Sequence, residues 1–288
     1  MRYEFIESHR DEFPIKLMCN VLGIVRQSYY AWRNRGPSQR EQENEKLLEE
    51  IKEIHRHSRQ TYGSPRIHQA LKAQGIVVGR NRVARLMREH GIRAIQKQKK
   101  KWTTDSSHSL PIAPNLVNRQ FEVDGSDKLW LADLTYVRTE EGWLYLAAIL
   151  DVHSRKVVGW AMDQTMSRKL CMDALGMAVM VRQPGEGLVH HSDRGSQYAS
   201  ADYQAMLEEH GIHCSMSRKG DCWDNAPMES FFGSLKTESL HRYKFKTRND
   251  ARREIFEYIE IFYNRKRIHS ALGFNSPEAF ETQVAAAA

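Results

Sequence analysis

The sequence predicts an α/β protein with a five-stranded mixed sheet and flanking helices, preceded by small all-α helix-turn-helix modules. Two observations support this prediction. From residue 127 onward, three strand-like stretches with short connections are followed by alternating helix-like and strand-like stretches. Before residue 96, apolar residues recur at helical spacing and glycines separate the segments.

The composition is that of a soluble protein with more than one domain. The chain has 288 residues, of which 41% are apolar and 27% are charged. No apolar run reaches the length of a membrane span, and the first residues contain acids that a signal peptide would lack. We therefore expect a cytoplasmic protein. The four cysteines form no CxxC pair, which indicates reduced thiols rather than disulfides or a zinc knuckle.

The positive charge is concentrated in the first third of the chain. Residues 1–102 contain 22 Lys and Arg against 11 Asp and Glu, whereas residues 103–288 contain 21 against 25. Residues 59–101 alone hold 12 basic residues and one acid, Glu89. A basic module joined to a mildly acidic one indicates that the first part binds a polyanion. A basic face that serves only solubility is the alternative.

The first 95 residues divide into two helical parts. Residues 1–36 predict two short helices around a turn at Gly23, either a helix-turn-helix or an ordinary helical hairpin. Residues 40–95 predict a three-helix DNA-binding module, and its last helix is the best candidate for the helix that reads the DNA. Because this helix exposes arginines at steps of three and four residues, we expect phosphate contacts. The predicted DNA-binding side chains of this module are Arg66, Arg80, Arg82, Arg85 and Arg88.

Three further segments complete the predicted organisation. Residues 96–125 predict a basic and polar linker, whose lysines are expected to lie on DNA: Lys97, Lys99, Lys100 and Lys101. Residues 126–240 predict the catalytic core, and residues 241–288 predict a C-terminal helical extension. Within the core, strands are expected at 129–137, 143–152, 156–162, 188–191 and 212–216. Helices are expected at 167–181, 201–210 and 227–240, and another at 251–264.

This order of elements is that of a ribonuclease H-like fold, which brings the middle of the first strand and the end of the fourth together. Asp133 interrupts the first apolar strand, and Asp193 ends the fourth. Glu229 opens a helix, for which Asp224 is a candidate cap. Since ionised carboxylates resist burial and repel each other, their convergence indicates a bound divalent metal. Oxygen ligands suit Mg²⁺ or Mn²⁺, and two such ions catalyse in-line phosphoryl displacement.

Several residues compete with this interpretation. Asp151, at the end of the second strand, is the rival third acid, although a structural hydrogen bond to Ser154 or Arg155 accounts for it equally. His190 and His191 are more often structural at a strand end, because zinc would need further ligands. Lys236, two helical turns after Glu229, is either a phosphate ligand near the metals or a solvated surface lysine.

At these residues the sequence resembles a known family. Residues 130–136 read WLADLTY, residues 191–198 read HSDRGSQY, and residues 224–238 read DNAPMESFFGSLKTE. Residues 62–67 (YGSPRI), 263–265 (YNR) and 269–273 (HSALG) also match. These motifs, in order and with 35 residues between the last two acids, resemble the OrfB-type transposases of the IS-three (insertion sequence three) family. That family lies within the superfamily of DDE transposases and retroviral integrases.

The resemblance implies that Asp133, Asp193 and Glu229 are the catalytic residues and bind the metals. It implies metal-dependent cleavage and strand transfer of insertion-sequence ends into target DNA, in homo-oligomers bound to terminal inverted repeats. It also implies a bacterial, nucleoid-associated protein and an OrfA-type partner or fusion. Two alternatives remain open. A non-catalytic DNA-binding regulator or assembly subunit would not need the three acids, and a ribonuclease acting on RNA–DNA hybrids would not need the helical modules.

Overall fold

The computed structural model describes residues 1–95, 110–218 and 222–287, and it confirms an α/β core preceded by helical modules. The first module consists of α1 (Arg2–Ser8), α2 (Ile15–Val21) and α3 (Arg26–Asn34). Its small core contains Ile6, Met18, Cys19 and Tyr29. Gly23 adopts a positive φ of 64° between α2 and α3, which a glycine tolerates without strain.

The second module consists of α4 (Gln39–His57), α5 (Ser64–Ala73) and α6 (Arg80–Glu89). Helix α4 begins with a capping box. The side chains of Ser38 and Glu41 each accept a hydrogen bond from the backbone N–H of the other residue. One apolar stripe from each helix forms a shared core, with members such as Ile51, Ile67 and Val83. The three-helix prediction for this region is therefore confirmed.

The core sheet has five strands in the spatial order β3-β2-β1-β4-β5. They are β1 (Leu129–Thr139), β2 (Gly142–Asp151), β3 (Val157–Asp163), β4 (Val189–Ser192) and β5 (His213–Met216). The first three strands pair antiparallel, whereas β4 runs parallel to both β1 and β5. All five predicted strands are thus present, and the sheet is mixed as predicted.

Helices cover both faces of this sheet. One face carries α7 (Arg168–Arg182) and α8 (Ala201–Glu209), which bury Trp130 of β1. Gly159 of β3 allows α7 to approach, since a Cβ at this position would lie 2.3 Å from the carbonyl oxygen of Ala174. The other face carries α9 (Ala226–Glu238), α10 (Arg248–Phe256) and a π-helical continuation, Glu257–Tyr263.

The C-terminal residues therefore belong to the core cluster of the sheet. Ile255, Ile259 and Phe262 pack in the same cluster as Leu129 and Leu131 of β1. A last helix, α11 (Pro277–Ala287), follows. The segment at 110–125 also contacts the sheet, because the N–H of Leu116 donates to Ser215 Oγ at 2.9 Å and Val117 is buried.

Polar contacts join the α4–α6 module to the C-terminal helices. Arg59 forms ion pairs with Glu254 at 2.6 Å and with Glu257 at 2.8 Å. The hydroxyl of Tyr62 accepts from the N–H of Ile268 at 2.8 Å. The start of α5 is therefore held against the segment that follows the π-helical turn.

Candidate active site

The register of two parallel strands brings two carboxylates to one place. Leu131 of β1 pairs with His191 of β4. Asp133 lies two residues after Leu131, and Asp193 lies two residues after His191. The two acids are therefore at the same height along the neighbouring strands β1 and β4. The C-terminal end of parallel strands is where open α/β sheets place their ligands. The structure thus brings together the first two acids that the sequence singled out.

The environment of Asp133 disfavours its charged form. Burial, followed by the negative charge of Asp193, raises the pKa of Asp133 to about 8. The N–H of Leu134 donates to Asp133 Oδ1 at 2.7 Å and acts in the opposite direction, while Glu229 raises the pKa further. The carboxyl group of Asp133 therefore lies in the field of both other acids.

Asp193 is oriented by a tight turn. The N–H of Gly195 donates to Asp193 Oδ1 at 2.9 Å. A Cβ on residue 195 would lie 2.9 Å from this same oxygen, so glycine leaves room for the carboxylate. Ser192 Oγ donates to the carbonyl of Asp193 at 3.0 Å and adds a second constraint. The side chain is consequently held by its own loop.

Glu229 is exposed in the first turn of α9. The start of this helix is tied to β1, because Asn225 Nδ2 donates to the carbonyl of Ala132 at 3.3 Å. Asn225 precedes α9, and Ala132 precedes Asp133, so this contact places the helix start next to the first acid. Pro227 lies in the first turn of the helix, where a missing N–H costs nothing.

The chemistry of this donor set fits a hard divalent cation. The three side chains offer only carboxylate oxygens, and their mutual repulsion, together with burial, is relieved by a positive ion. As the side chains stand, no three Asp, Glu, His or Cys residues within 1–95, 110–218 and 222–287 converge closely enough to hold an ion. The structure thus brings the acids into one electrostatic cluster without forming a closed chelate.

Asp151, the rival candidate for the third acid, forms the structural hydrogen bonds to Ser154 that the sequence offered as the alternative. Its fully buried carboxylate accepts from the N–H of Asp127 at 2.7 Å and from the N–H and hydroxyl of Ser154 at 2.8 and 2.9 Å. Burial raises its pKa, and these donors counteract the effect. The hydrogen bonds to Ser154 hold the turn after β2.

The two histidines are buried and neutral. His190 Nε2 pairs with the Tyr203 hydroxyl at 3.0 Å, and His191 pairs with Ser215 and Ser217 at 2.8 and 3.2 Å. Burial lowers the pKa of His190 to about 3 and that of His191 to about 4. The described residues give both ring nitrogens of His191 a partner, whereas His190 Nδ1 is buried without one.

Asp224 is not the helix cap that the sequence suggested. Asn225 occupies the cap position of α9, without a side-chain cap bond. Asp224 is instead fully buried and accepts from Arg218, at 2.7 and 3.0 Å, from Arg119 at 3.2 Å and from Asn115 at 2.9 Å. The Arg218 guanidinium is the main cause of its lowered pKa. Two of these partners, Arg119 and Asn115, are distant in sequence, which is why local reasoning missed them.

The predicted DNA-binding arginines differ in how they are engaged. Arg80 and Arg88 on α6 are exposed. Arg82 instead donates to Asn44 at 2.8 Å, and Arg85 forms an ion pair within its own helix at 3.0 Å. The guanidinium of Arg66 is half-buried and lies 5.6 Å from the centre of the Tyr62 ring.

The remaining predicted DNA-binding residues are lysines. Lys236 lies on α9 with its Nζ 5.8 Å from the centre of the Tyr136 ring, and its charge lowers the pKa of Asp133. It is therefore close to the acidic cluster. The four lysines of the basic tract lie outside the described residues: Lys97, Lys99, Lys100 and Lys101.

No helix in the described ranges is both long enough and apolar enough to cross a membrane.

Three family models match the chain. Integrase core domain models match residues 124–222 and 229–284, and an HTH-like domain model matches residues 41–100. The first two models together include the three acids and all five strands.

Relatives match almost the whole chain. The insertion element IS600 uncharacterized 31 kDa protein of Shigella sonnei is 52% identical over 91% of this chain and 97% of its own. Transposase InsF for insertion sequence IS3A of Escherichia coli (strain K12) is 44% identical over 98% of this chain and 99% of its own. Among solved structures, the HTLV-2 integrase catalytic core domain in complex with magnesium is 14% identical, with a TM-score of 0.43 over 54% of this chain and 96% of that one. The chain therefore belongs to the IS3 family of transposases, which are polynucleotidyl transferases of the DDE type.

Proposed function

We propose that Asp133, Asp193 and Glu229 are the catalytic acids, and that they bind two Mg²⁺ or Mn²⁺ ions which act on the ends of an insertion sequence. The observation that supports this assignment is the clustering of acids where the parallel pairing of β1 and β4 ends. Asp133 shares its strand offset with Asp193, and both other acids raise its pKa. A metal-dependent transposase needs such a cluster of acids, whereas a DNA-binding regulator does not.

The bound ions supply stabilisation of the charge that develops on the attacking and leaving oxygens. The protein supplies orientation. Backbone N–H groups of Leu134 and Gly195 donate to one oxygen of Asp133 and one of Asp193, which fixes the orientation of both carboxylates. The contact between Asn225 and β1 keeps the start of α9, and with it Glu229, beside these two carboxylates.

Lys236 is proposed to bind a phosphate of the reacting DNA strand. Its ammonium group is near enough to Asp133 to lower the pKa of that residue, so a phosphate at Lys236 would lie close to the ions. The α4–α6 module and the basic tract are proposed to hold the terminal inverted repeat, with the exposed Arg80 and Arg88 on phosphates. Target DNA, further copies of the chain and an OrfA-type partner complete the proposed assembly.

A strand-transfer assay tests the catalytic assignment. The substrate is a duplex that carries the terminal repeat of the element with a free 3′-hydroxyl, incubated with supercoiled plasmid and Mg²⁺. We expect Asp193→Asn and Glu229→Gln to abolish joined product while DNA binding stays within about twofold, because the lost contacts act on the reacting phosphate. Asp173→Asn, an exposed acid on α7 outside the cluster, is the matched control and should retain activity. Joined product from Glu229→Gln would overturn the assignment of the third acid.

A further inference from the structure

A cavity of about 840 Å³ lies between the C-terminal half of β1, the second half of α9 and the residues that follow it. Its lining includes three exposed aromatic rings, the buried ring of Phe245 and several cationic side chains. We call it the aromatic groove and define it by Tyr136, Trp143, Tyr243, Arg138, Lys236 and Lys244. Its volume is in the range of pockets that bind organic ligands. No residue of the groove other than Lys236 has a role in the function proposed above.

The aromatic groove is a built feature rather than a chance gap between loops. Phe245 is buried in the core and pairs with Thr139 at the end of β1. The N–H of Glu140 donates to the carbonyl of Phe245 at 3.0 Å, which fixes the chain around Tyr243 alongside the strand. Across the hairpin, Arg248 Nε donates to the carbonyl of Trp143 at 3.0 Å. Both walls of the groove are therefore held by hydrogen bonds to backbone carbonyls.

The rings of the groove present much of their surface to solvent. Tyr136, Trp143 and Tyr243 are 38%, 45% and 51% exposed. Tyr136 and Trp143 meet edge to face, with ring centres 5.1 Å apart and an angle of 84°, so their faces point in different directions. Single exposed aromatic residues are common, but three that line one cavity favour a ligand with flat apolar faces.

The charges of the groove favour an anionic ligand. Arg138, Lys236 and Lys244 line it together with Arg242, against one acid, Glu140. Arg242 is partly engaged, because it donates to the carbonyl of Arg59 at 2.6 Å. Cationic side chains beside aromatic rings are the arrangement that binds single-stranded nucleic acid, since phosphates meet the cations while unpaired bases stack on the rings. Paired bases in a duplex are already stacked on each other and do not offer their faces.

The groove begins next to the acidic cluster. Lys236, which lines the groove, follows Glu229 by seven residues on α9, which corresponds to two helical turns and about 10 Å along the helix. We propose that the aromatic groove binds unpaired nucleotides of the DNA strand that enters the acidic cluster. This inference rests on the proposed function for its choice of DNA, but it concerns a separate binding step that precedes chemistry. It predicts that the reacting end is opened rather than held as an intact duplex.

Binding of single-stranded DNA by the full chain tests the proposal without catalysis. The probes are fluorescein-labelled (dT)12 and a blunt 20-base-pair duplex, measured by fluorescence anisotropy in EDTA. We expect Trp143→Ala and Tyr243→Ala each to weaken (dT)12 binding about tenfold, which is within the range for loss of one stacked base. The affinity for the blunt duplex should change less than about twofold, because the α4–α6 module carries that interaction.

Two matched variants separate stacking from other causes. Tyr243→Phe keeps the ring and should bind (dT)12 like the unmodified chain. Phe256→Ala removes a ring of similar exposure, 48%, that packs on Trp160 outside the groove, and should leave both affinities unchanged.

The two affinities, for (dT)12 and for the blunt duplex, distinguish failure of the groove proposal from failure of the catalytic assignment. If well-folded Trp143→Ala and Tyr243→Ala bind (dT)12 normally, or lose duplex binding equally, the groove proposal is overturned. The loss of strand transfer in Asp193→Asn would still support the catalytic assignment. Conversely, a selective loss of (dT)12 binding supports the groove even if Glu229→Gln proves active.

Discussion

Removal of the Asp133 charge is expected to stabilise the metal-free protein, although the same change should abolish catalysis. Burial and the neighbouring Asp193 raise the pKa of Asp133 from 3.8 to about 8. At neutral pH the folded protein must therefore either take up a proton or hold a poorly solvated charge. Asn at this position keeps the shape of the side chain and can still accept from the N–H of Leu134.

The magnitude follows from the difference between the folded and unfolded pKa. A pKa near 8 in the folded state corresponds to an upper limit of about 4 kcal/mol at pH 7. Rotation of the carboxylates and entry of water reduce this limit, so we expect Asp133→Asn to gain about 1–2 kcal/mol in the free energy of unfolding. For a chain of this size that is a rise of about 2–6 °C in the midpoint of thermal unfolding.

The pH dependence has a definite sign. Because the folded pKa lies above the unfolded one, folding takes up a proton between about pH 4 and pH 8, and the stability contributed by Asp133 falls as the pH rises through this range. The gain from Asp133→Asn should therefore be small at pH 5 and largest above pH 8. Added Mg²⁺ should reverse the order, because it stabilises only the protein that retains its carboxylate.

Thermal unfolding followed by calorimetry in EDTA and in 10 mM Mg²⁺, at pH 5.5 and 8.5, measures these differences. Asp173→Asn is the control for loss of an acid that forms an exposed ion pair with Lys169. A lower stability of Asp133→Asn than of the unmodified chain at pH 8.5 in EDTA, or an equal effect at both pH values, would contradict this prediction.

Three further predictions concern the scaffold and the DNA-binding module. Gly159→Ala should lower the free energy of unfolding by about 3 kcal/mol in urea, because its Cβ would meet the carbonyl of Ala174 at 2.3 Å; an unchanged midpoint would show that α7 can move away. Arg267→Ala should cost about 3–5 kcal/mol, because Glu238, which it contacts at 2.7 Å, stays buried and without its ion-pair partner. Adding Glu238→Gln should recover part of that loss, and no recovery would contradict the pairing as its cause. Arg88→Gln should reduce the salt dependence of duplex binding by about 0.9 in log–log slope, whereas an equal slope would place the phosphate contact elsewhere.

Local periodicity in the sequence was sufficient for most of the fold. The five strands are short apolar runs whose ends are marked by turns, and the helices carry apolar stripes, so each element is a local property. The pairing of Asp133 with Asp193 followed from the order of the strands, because that order puts the first and fourth strands side by side. The motifs around these acids indicated the family from the amino-acid sequence alone.

Contacts between distant residues decided the rest. The burial of Ile255 and Ile259 against the sheet makes the C-terminal helices part of its core, which no local pattern in the extension indicates. In the same way, Arg119 and Asn115 help to make Asp224 a buried anchor rather than a helix cap.

The aromatic groove is the clearest case of this division. Tyr136 and Trp143 are ordinary strand residues in the sequence, and Tyr243 lies about a hundred residues later. They line one cavity only because Phe245 is buried beside Thr139 at the end of β1. Local pattern and strand order predict the strands and helices and the shared offset of Asp133 and Asp193, because these features depend on neighbouring residues and on the order of the strands. The tertiary structure alone decided which side chains share a surface, because that depends on how the packed elements satisfy their buried groups together.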